Sequence, residues 1–133
     1  MKRVLFVCIG NSCRSQMAEA FARHLGAGIW EVESAGLMPA GIIAPPVREV
    51  MAEKRIDLGD QFPKPLTWMR RQAFDLVVNM AGCPLPWEWP CPVLKWTVDD
   101  PIGQSGKVYR RVRDEIEGLV RGLLDEIRGA SGA

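Results

Sequence analysis

The segment Val4–Phe21, with the sequence VLFVCIGNSCRSQMAEAF, predicts a strand, a loop of small residues and a helix in direct succession. The apolar run Val4–Val7 lies between charged residues and a Gly-Asn pair, which is typical of a buried parallel strand. Apolar residues then recur every four positions as far as Leu25, as on one face of a helix. The connecting loop begins at Cys8 and ends at Arg14.

This loop has the composition of an anion-binding site. Its backbone N–H groups and those of the first helical turn can point into one concavity, where the helix dipole adds positive charge. Gly10 and Asn11 tolerate left-handed backbone angles, and Arg14 brings a planar fork of donors. We predict that a tetrahedral oxyanion binds to Ile9, Gly10, Asn11, Ser12, Cys13, Arg14 and Ser15.

Cys8 is the candidate nucleophile of this site. Helix N-termini and cationic neighbours favour the thiolate form of cysteine, so we expect Cys8 to attack a bound oxyanion. Ser15 is placed to donate a hydrogen bond to the thiolate, and also to cap the helix. The alternative is that Cys8 is a small buried hydrophobe, the Gly-Asn pair an ordinary turn and Arg14 a surface charge.

Strand and helix patterns alternate along the rest of the chain. They predict a single-domain α/β fold over residues 1–133, a three-layer sandwich whose four-stranded parallel sheet has helices on both faces. The anion loop then lies at the carboxyl ends of the strands. The further predicted strands are 29–34, 74–80 and 93–98; the predicted helices begin at Pro46, Leu66 and Lys107, and residues 131–133 form a tail.

Composition excludes several classes of partner. A net charge of +1 gives no basis for binding a nucleic acid, and no apolar stretch approaches the roughly 20 residues of a membrane span. No export signal precedes the first strand. We therefore expect a monomeric cytoplasmic protein in which the four cysteines, Cys8, Cys13, Cys83 and Cys91, are reduced thiols.

The segment around Cys8 strongly resembles the signature of the low-molecular-weight protein tyrosine phosphatase superfamily. The sequence NSCRSQMAE is most similar to the thiol-coupled arsenate reductases within it, and the resemblance extends to Glu33–Gly36, Asp75–Val78 and Trp96–Pro101. It implies a small oxyanion substrate: arsenate, phosphate or a phosphomonoester. It also implies no tightly bound cofactor and, for a reductase, thioredoxin or a small thiol as external electron donor.

A proton donor is needed for the oxygen that leaves when the thiolate attacks. Asp99-Asp100-Pro101 follows the last predicted strand, at the same end of the sheet as Cys8. The resemblance selects Asp100, because the family's acid is the aspartate directly before the proline. The alternative is that this acidic pair only begins a turn or caps a helix.

Arsenate reduction also needs a second thiol, and Cys83 and Cys91 are the candidates. They flank a proline-rich loop that leaves the third strand, which we predict to be at the site's end of the sheet. The family usually has a cysteine directly before the glycine, where this chain has Ala81. The alternatives are two unreactive loop cysteines or a local disulfide. For Cys13 we predict a structural role, or a protective disulfide with Cys8 under oxidation.

The resemblance implies a hydrogen-bonding network of Asn11, Glu19 and Ser34 behind the loop, near which related reductases hold a potassium ion. The acidic residue expected around Lys64-Pro65 is not evident in this chain. The single histidine and the scattered cysteines lack the spacing of metal ligands. We therefore predict no metal site.

Three functions follow from these residues. The leading hypothesis is a cysteine-dependent arsenate reductase, and the alternative is a phosphotyrosine or phosphomonoester phosphatase in which water attacks a Cys8 phospho-enzyme. The phosphatases usually have tyrosines after the Asp-Pro pair, whereas this chain has Ile102-Gly103. The third hypothesis, a non-catalytic oxyanion or redox sensor, would be indicated by loss of the nucleophile or the acid, and both are present.

Overall fold

The computed structural model describes residues 1–131, and its sheet has four strands that are all parallel. The strand order is β2-β1-β3-β4, so β1, which leads into the anion loop, is a central strand. The elements are β1 Lys2–Cys8, α1 Arg14–Leu25, β2 Trp30–Gly36, α2 Pro45–Ala52, a 3₁₀ helix Leu66–Met69, β3 Leu76–Asn79, β4 Val93–Lys95 and α3 Gly106–Ser131. The α/β fold class is confirmed.

Alternate residues of β1 enter two cores on opposite faces of the sheet. Val4, Phe6 and Cys8 face a large core built with α1, α2 and α3. Leu5 and Val7 face a smaller core. That core is closed by the 3₁₀ helix and by Trp87 and Trp89 of the proline-rich loop. Both faces of β1 are therefore buried, as its uninterrupted apolar run predicted.

The differences from the predicted elements lie at the edges of the fold. β4 is an edge strand of three exposed residues, Val93–Lys95, so less of the segment 93–98 is paired than predicted. α3 continues to Ser131, into the predicted tail, and residues 132–133 lie outside the described part of the chain. Within residues 1–131, none of the helices combines the length and the apolar character needed to cross a bilayer.

Candidate functional site

The loop between β1 and α1 encloses a cavity of about 210 Å³. Its walls include the nucleophile candidate Cys8, the arginine Arg14 and the acid candidate Asp100, which come from segments far apart in the chain. The complete lining is Cys8, Ile9, Gly10, Ser12, Cys13, Arg14, Asp100 and Ile102. The structure therefore brings most of the predicted site residues together, while Asn11 and Ser15 lie behind the wall, where both are fully buried.

The peptide groups of the loop are oriented by the segment 37–44. The carbonyl oxygens of Cys8, Ile9, Gly10 and Ser12 accept hydrogen bonds from the N–H groups of Leu37, Met38, Ala40 and Ala44, at 2.8–3.1 Å. In a trans peptide the N–H points away from the carbonyl of the same plane. The N–H groups of the following residues in the loop are thereby directed away from this segment, which is the arrangement that an anion needs.

Two residues let the loop adopt this shape. Asn11 has φ of 48°, the left-handed conformation that was predicted for this part of the loop. Gly36, the last residue of β2, lies so close that a Cβ there would be 2.7 Å from the carbonyl oxygen of Ile9 and 2.9 Å from the nitrogen of Asn11. The anion loop and the end of β2 can pack this closely only because position 36 has no side chain.

Cys8 is buried and is hydrogen-bonded to Ser15, whose Oγ lies 2.8 Å from the sulfur. The side-chain nitrogen of Asn11 donates to the same Oγ at 2.7 Å, so the hydroxyl hydrogen of Ser15 is free to point at the sulfur. Ser15 is the second residue of α1, and the capping position is held by Cys13 without a side-chain hydrogen bond. The capping role predicted for Ser15 is therefore wrong, and its role as a donor toward Cys8 is supported.

Arg14 is fixed by the carboxyl ends of two neighbouring chain segments. Its Nη1 donates to the carbonyl oxygens of Met80, at 2.8 Å, and Val98, at 3.3 Å. Its Nη2 lies 3.6 Å from Oδ2 of Asp100. The side chain of Arg14 is only 8% exposed, whereas the side chain of Asp100 is 43% exposed at the mouth of the cavity. The arginine is therefore preorganised inside the site, and the carboxyl group faces it from the rim.

Cys13 and Tyr109 form the back wall next to Cys8. The phenol oxygen of Tyr109 lies 3.9 Å from the sulfur of Cys13, and both side chains are buried. Burial raises the pKa of the Cys13 thiol above its usual value. Burial and the adjacent Cys13 raise the pKa of Tyr109 to about 12. At neutral pH both groups therefore keep their protons, which supports the structural role predicted for Cys13.

Cys83 and Cys91 do not line the cavity, and they lie at different ends of the sheet. Cys83 is exposed, and its carbonyl oxygen accepts a hydrogen bond from the side chain of Asn79, the last residue of β3. Cys91 precedes β4 and packs against the smaller core. Burial and the nearby Asp75 carboxylate raise the pKa of Cys91. The expectation that both cysteines lie at the site's end of the sheet is wrong for Cys91.

The side chains behind the loop do not fit the potassium ion that related reductases are expected to hold at this place. Both oxygens of the Glu19 carboxylate already have partners: Ser34 donates to Oε1, and Arg23 contacts Oε2 at 2.8 Å. The ammonium of Lys64 lies 3.9 Å from Oε1 of Glu19. Two cationic side chains thus occupy the surroundings of the buried carboxylate where a metal ion would need to bind.

The contributions of Ile102, Tyr109 and Lys64 to the site were not predicted from the sequence. Ile102 lines the cavity directly after the Asp-Pro pair. Tyr109 and Lys64 reach the site from segments 96 and 45 positions away from Cys13 and Glu19, respectively. Of the three, only Ile102 could have been predicted from its sequence neighbours, since it comes two positions after the predicted acid Asp100.

Comparisons with known proteins show what this chain is similar to. The sequence model of the low molecular weight phosphotyrosine protein phosphatases matches residues 3–84. A glutaredoxin arsenate reductase of Synechocystis sp. is 40% identical over 131 residues, which cover 96% of this chain and 99% of that protein. A solved structure of an arsenate reductase in its phosphate binding state has a TM-score of 0.88 and 40% identity, covering 96% of this chain and 99% of the other. A thioredoxin-dependent arsenate reductase of Corynebacterium glutamicum has a TM-score of 0.81 and 34% identity, covering 98% of this chain and 63% of the other.

Proposed function

The chain belongs to the low molecular weight phosphotyrosine protein phosphatase family, and from that premise we propose that it is an arsenate reductase. The observation that carries the proposal is the small cavity where the sulfur of Cys8, the guanidinium of Arg14 and the carboxyl of Asp100 meet. Among the described residues that line it there is no aromatic side chain to grip a phenyl ring. A volume of about 210 Å³ suits a small oxyanion.

In the first step the Cys8 thiolate attacks the arsenic atom of arsenate. The N–H groups of Ile9, Gly10 and Ser12, which line the cavity, and the fork of Arg14 hold the oxyanion oxygens. Asp100 donates a proton to the departing hydroxide, which leaves as water. The product is a covalent adduct between the Cys8 sulfur and arsenic(V).

In the second step another thiolate attacks the sulfur of Cys8. A sulfur–sulfur bond forms, the sulfur–arsenic bond breaks, and its electron pair stays on arsenic, which leaves as arsenite. One arsenate and two thiols thus give one arsenite, one disulfide and one water. Exposure and position at the carboxyl end of β3 support Cys83 as the attacking thiol. Cys91 would enter the exchange only after the loop 81–92 has moved.

An external electron donor must reduce the resulting disulfide, because in this proposal the protein has no tightly bound redox cofactor. The similar proteins described as glutaredoxin and thioredoxin-dependent arsenate reductases support thioredoxin or a small thiol as the electron donor. We further propose that residues 1–133 act as one domain, as a monomer in the cytoplasm, without a nucleic-acid or membrane partner.

The test is an assay of arsenate reduction coupled to NADPH oxidation, run with a thioredoxin system and with a glutathione–glutaredoxin system. We expect arsenate-dependent oxidation with at least one donor, and its complete loss in Cys8→Ser. Lys107→Gln, an exposed change at the start of α3, is the matched control and keeps full activity. Single Ser variants at positions 83 and 91 identify the resolving thiol.

A parallel assay with para-nitrophenyl phosphate separates reduction from phosphatase activity, which would use the same three groups with water as the second attacker. Loss of arsenate reduction in Cys83→Ser with unchanged phosphatase turnover supports the proposal. If no donor supports arsenate reduction while the phosphate ester is cleaved efficiently, the enzyme is a phosphatase.

A further inference from the structure

Behind Cys8, a continuous chain of hydrogen bonds leads away from the active site. The side-chain nitrogen of Asn11 donates to Ser15 at 2.7 Å and to Ser34 at 2.9 Å, and Ser34 donates to the carboxylate of Glu19. Every member of this chain is buried. A change of charge at Glu19 therefore acts on the orientation of the Ser15 hydroxyl that is bonded to the Cys8 sulfur.

A buried carboxylate needs positive charge nearby, since desolvation otherwise opposes its ionised form. Arg23 supplies part of that charge at Oε2 of Glu19, but its side chain is half exposed and reaches in from the surface. Lys64 is the buried partner: its side chain is 9% exposed, and its Nζ lies 3.9 Å from Oε1.

The backbone holds Lys64 in this place. Its N–H donates to Oδ1 of Asn11 at 2.9 Å, and its carbonyl oxygen accepts from the N–H of Gly36 at 2.8 Å. The ammonium is further held by the carbonyl oxygen of Phe62, at 3.1 Å, and it lies 4.8 Å from the centre of the Phe62 ring. Lys64 is thus attached to the same asparagine that orients Ser15.

We infer that Lys64 is a positioning residue that acts as a built-in monovalent cation: its ammonium neutralises Glu19 and so fixes the hydrogen-bond chain behind Cys8 without a bound alkali metal ion. This inference rests on the proposed role of Cys8 as the nucleophile. It assigns a function to the residue that stands where the family resemblance led us to expect an acidic side chain. If the inference is correct, the reactivity of Cys8 does not depend on potassium.

The remaining charged groups around Glu19 lie farther out. They line the outer part of a cavity of about 640 Å³ next to α1, with Glu19 and Lys64 at its inner end. Asp57 and Asp60 are exposed, Glu33 is half-buried, and the carboxylate of Asp57 accepts a hydrogen bond from the N–H of Gly59. His24, also exposed, completes the titratable lining. Of the two cations in this cavity that approach the buried carboxylate, Arg23 is half exposed and Lys64 is buried.

The test measures alkylation of Cys8 by iodoacetamide, followed by peptide mass mapping across a range of pH, for the wild-type chain, Lys64→Gln, Lys64→Arg and the control Lys107→Gln. We expect the alkylation rate of Cys8 at neutral pH to fall by about threefold in Lys64→Gln. The effect is modest because the lost positive charge is partly screened and does not contact the Cys8 sulfur. Lys64→Arg, which keeps the positive charge, restores much of the rate, and Lys107→Gln changes nothing.

Potassium provides the second readout. In the wild-type chain, alkylation of Cys8 and the thermal unfolding midpoint are expected to be the same in potassium chloride and in choline chloride of equal ionic strength. A potassium-dependent rise of either quantity in the wild type, or a Lys64→Gln profile identical to the wild type, overturns the inference. If Lys64→Gln does not fold, the potassium comparison on the wild type decides alone. An unreactive Cys8 in the wild type would instead contradict the proposed function.

Discussion

The two cysteines of the anion loop have opposite surroundings although they are five positions apart. Cys8 is hydrogen-bonded to Ser15, whose hydroxyl is free to donate to the sulfur. Cys8 also lies beside Arg14 in the cavity. Cys13 lies beside the phenol of Tyr109 and is buried, and its burial raises its pKa. Of these two cysteines, Cys8 has the surroundings of the proposed nucleophile, whereas Cys13 remains a thiol at neutral pH.

The pKa of Tyr109 can be measured directly, because it is the single tyrosine of the chain. We expect tyrosinate absorbance of the folded protein to rise with a midpoint near the value of about 12 that burial and Cys13 impose. In urea the same side chain should titrate near the usual value of about 10. Circular dichroism recorded in parallel shows whether the protein is still folded at each pH.

The raised pKa values of Tyr109 and Cys13 determine how the free energy of unfolding changes with pH. Tyr109 and Cys13 both have a raised pKa in the folded state and are neutral when protonated. The free energy of unfolding is therefore unaffected below their ordinary pKa values, and it falls as the pH rises from about 9 toward 12. Tyr109→Phe should show a shallower fall above about pH 10. An equally steep fall would contradict this assignment.

The functional groups that lie in one local sequence pattern could be predicted from the sequence. Cys8 and Arg14 belong to one loop, and Asp100 follows a strand whose direction could be predicted. Lys64 could not be placed, because its contact with Glu19 depends on how the segment between α2 and the 3₁₀ helix folds back over the sheet. Nothing in the residues near Lys64 indicates that it is buried.

The anion loop depends on the element beside it, and Gly36 is the point of contact. In Gly36→Ala the new Cβ would lie 2.7 Å from the carbonyl oxygen of Ile9, so the loop must move away from β2. We expect a loss of about 1–3 kcal/mol in the free energy of unfolding. We also expect weaker phosphate binding, because the loop N–H groups lose their orientation. Urea unfolding and calorimetric titration with phosphate measure the two effects.

Gly118→Ala is the matched control for this change. It lies on an exposed part of α3, where an added Cβ meets no atom within 4 Å. Alanine there should stabilise the protein by about 0.5–1 kcal/mol, because it reduces the backbone entropy of the unfolded chain. Phosphate binding should not change. If Gly36→Ala were as stable and bound phosphate as well as Gly118→Ala, the close packing between the loop and β2 would not matter for the site.

The parallel sheet and its two buried faces could be predicted from apolar runs alone. The path of the loop 81–92 could not. Four prolines exclude regular structure there without indicating where the chain goes, and Cys91 was therefore placed at the wrong end of the sheet. The structure shows instead that Trp87 and Trp89 of this loop pack on the smaller core, which brings Cys91 down to the start of β4.

Because the loop follows this path, Cys83 and Cys91 cannot form a disulfide unless the loop changes conformation. The carbonyl oxygen of Cys83 is hydrogen-bonded to Asn79, and Asn79 pairs with Lys95 of β4. Cys91 comes four residues before Lys95, which is roughly 13 Å along an extended strand. A disulfide needs Cα atoms within about 7 Å of each other. If the two cysteines form one after arsenate is reduced, the loop must leave the smaller core and take its tryptophans with it.

Tryptophan fluorescence reports this movement. Trp87 and Trp89 stack with ring centres 5.1 Å apart, and Trp89 also contacts Phe74. We expect one turnover with arsenate and no external reductant to shift the emission to longer wavelength, because these rings become exposed to water. The shift should be absent in Cys91→Ser and reversed by dithiothreitol. The other three tryptophans give a constant background: Trp30 and Trp96 are buried in the larger core, and Trp68 is exposed beside Phe62. A wild-type emission spectrum unchanged by turnover would mean that Cys91 does not take part in thiol exchange.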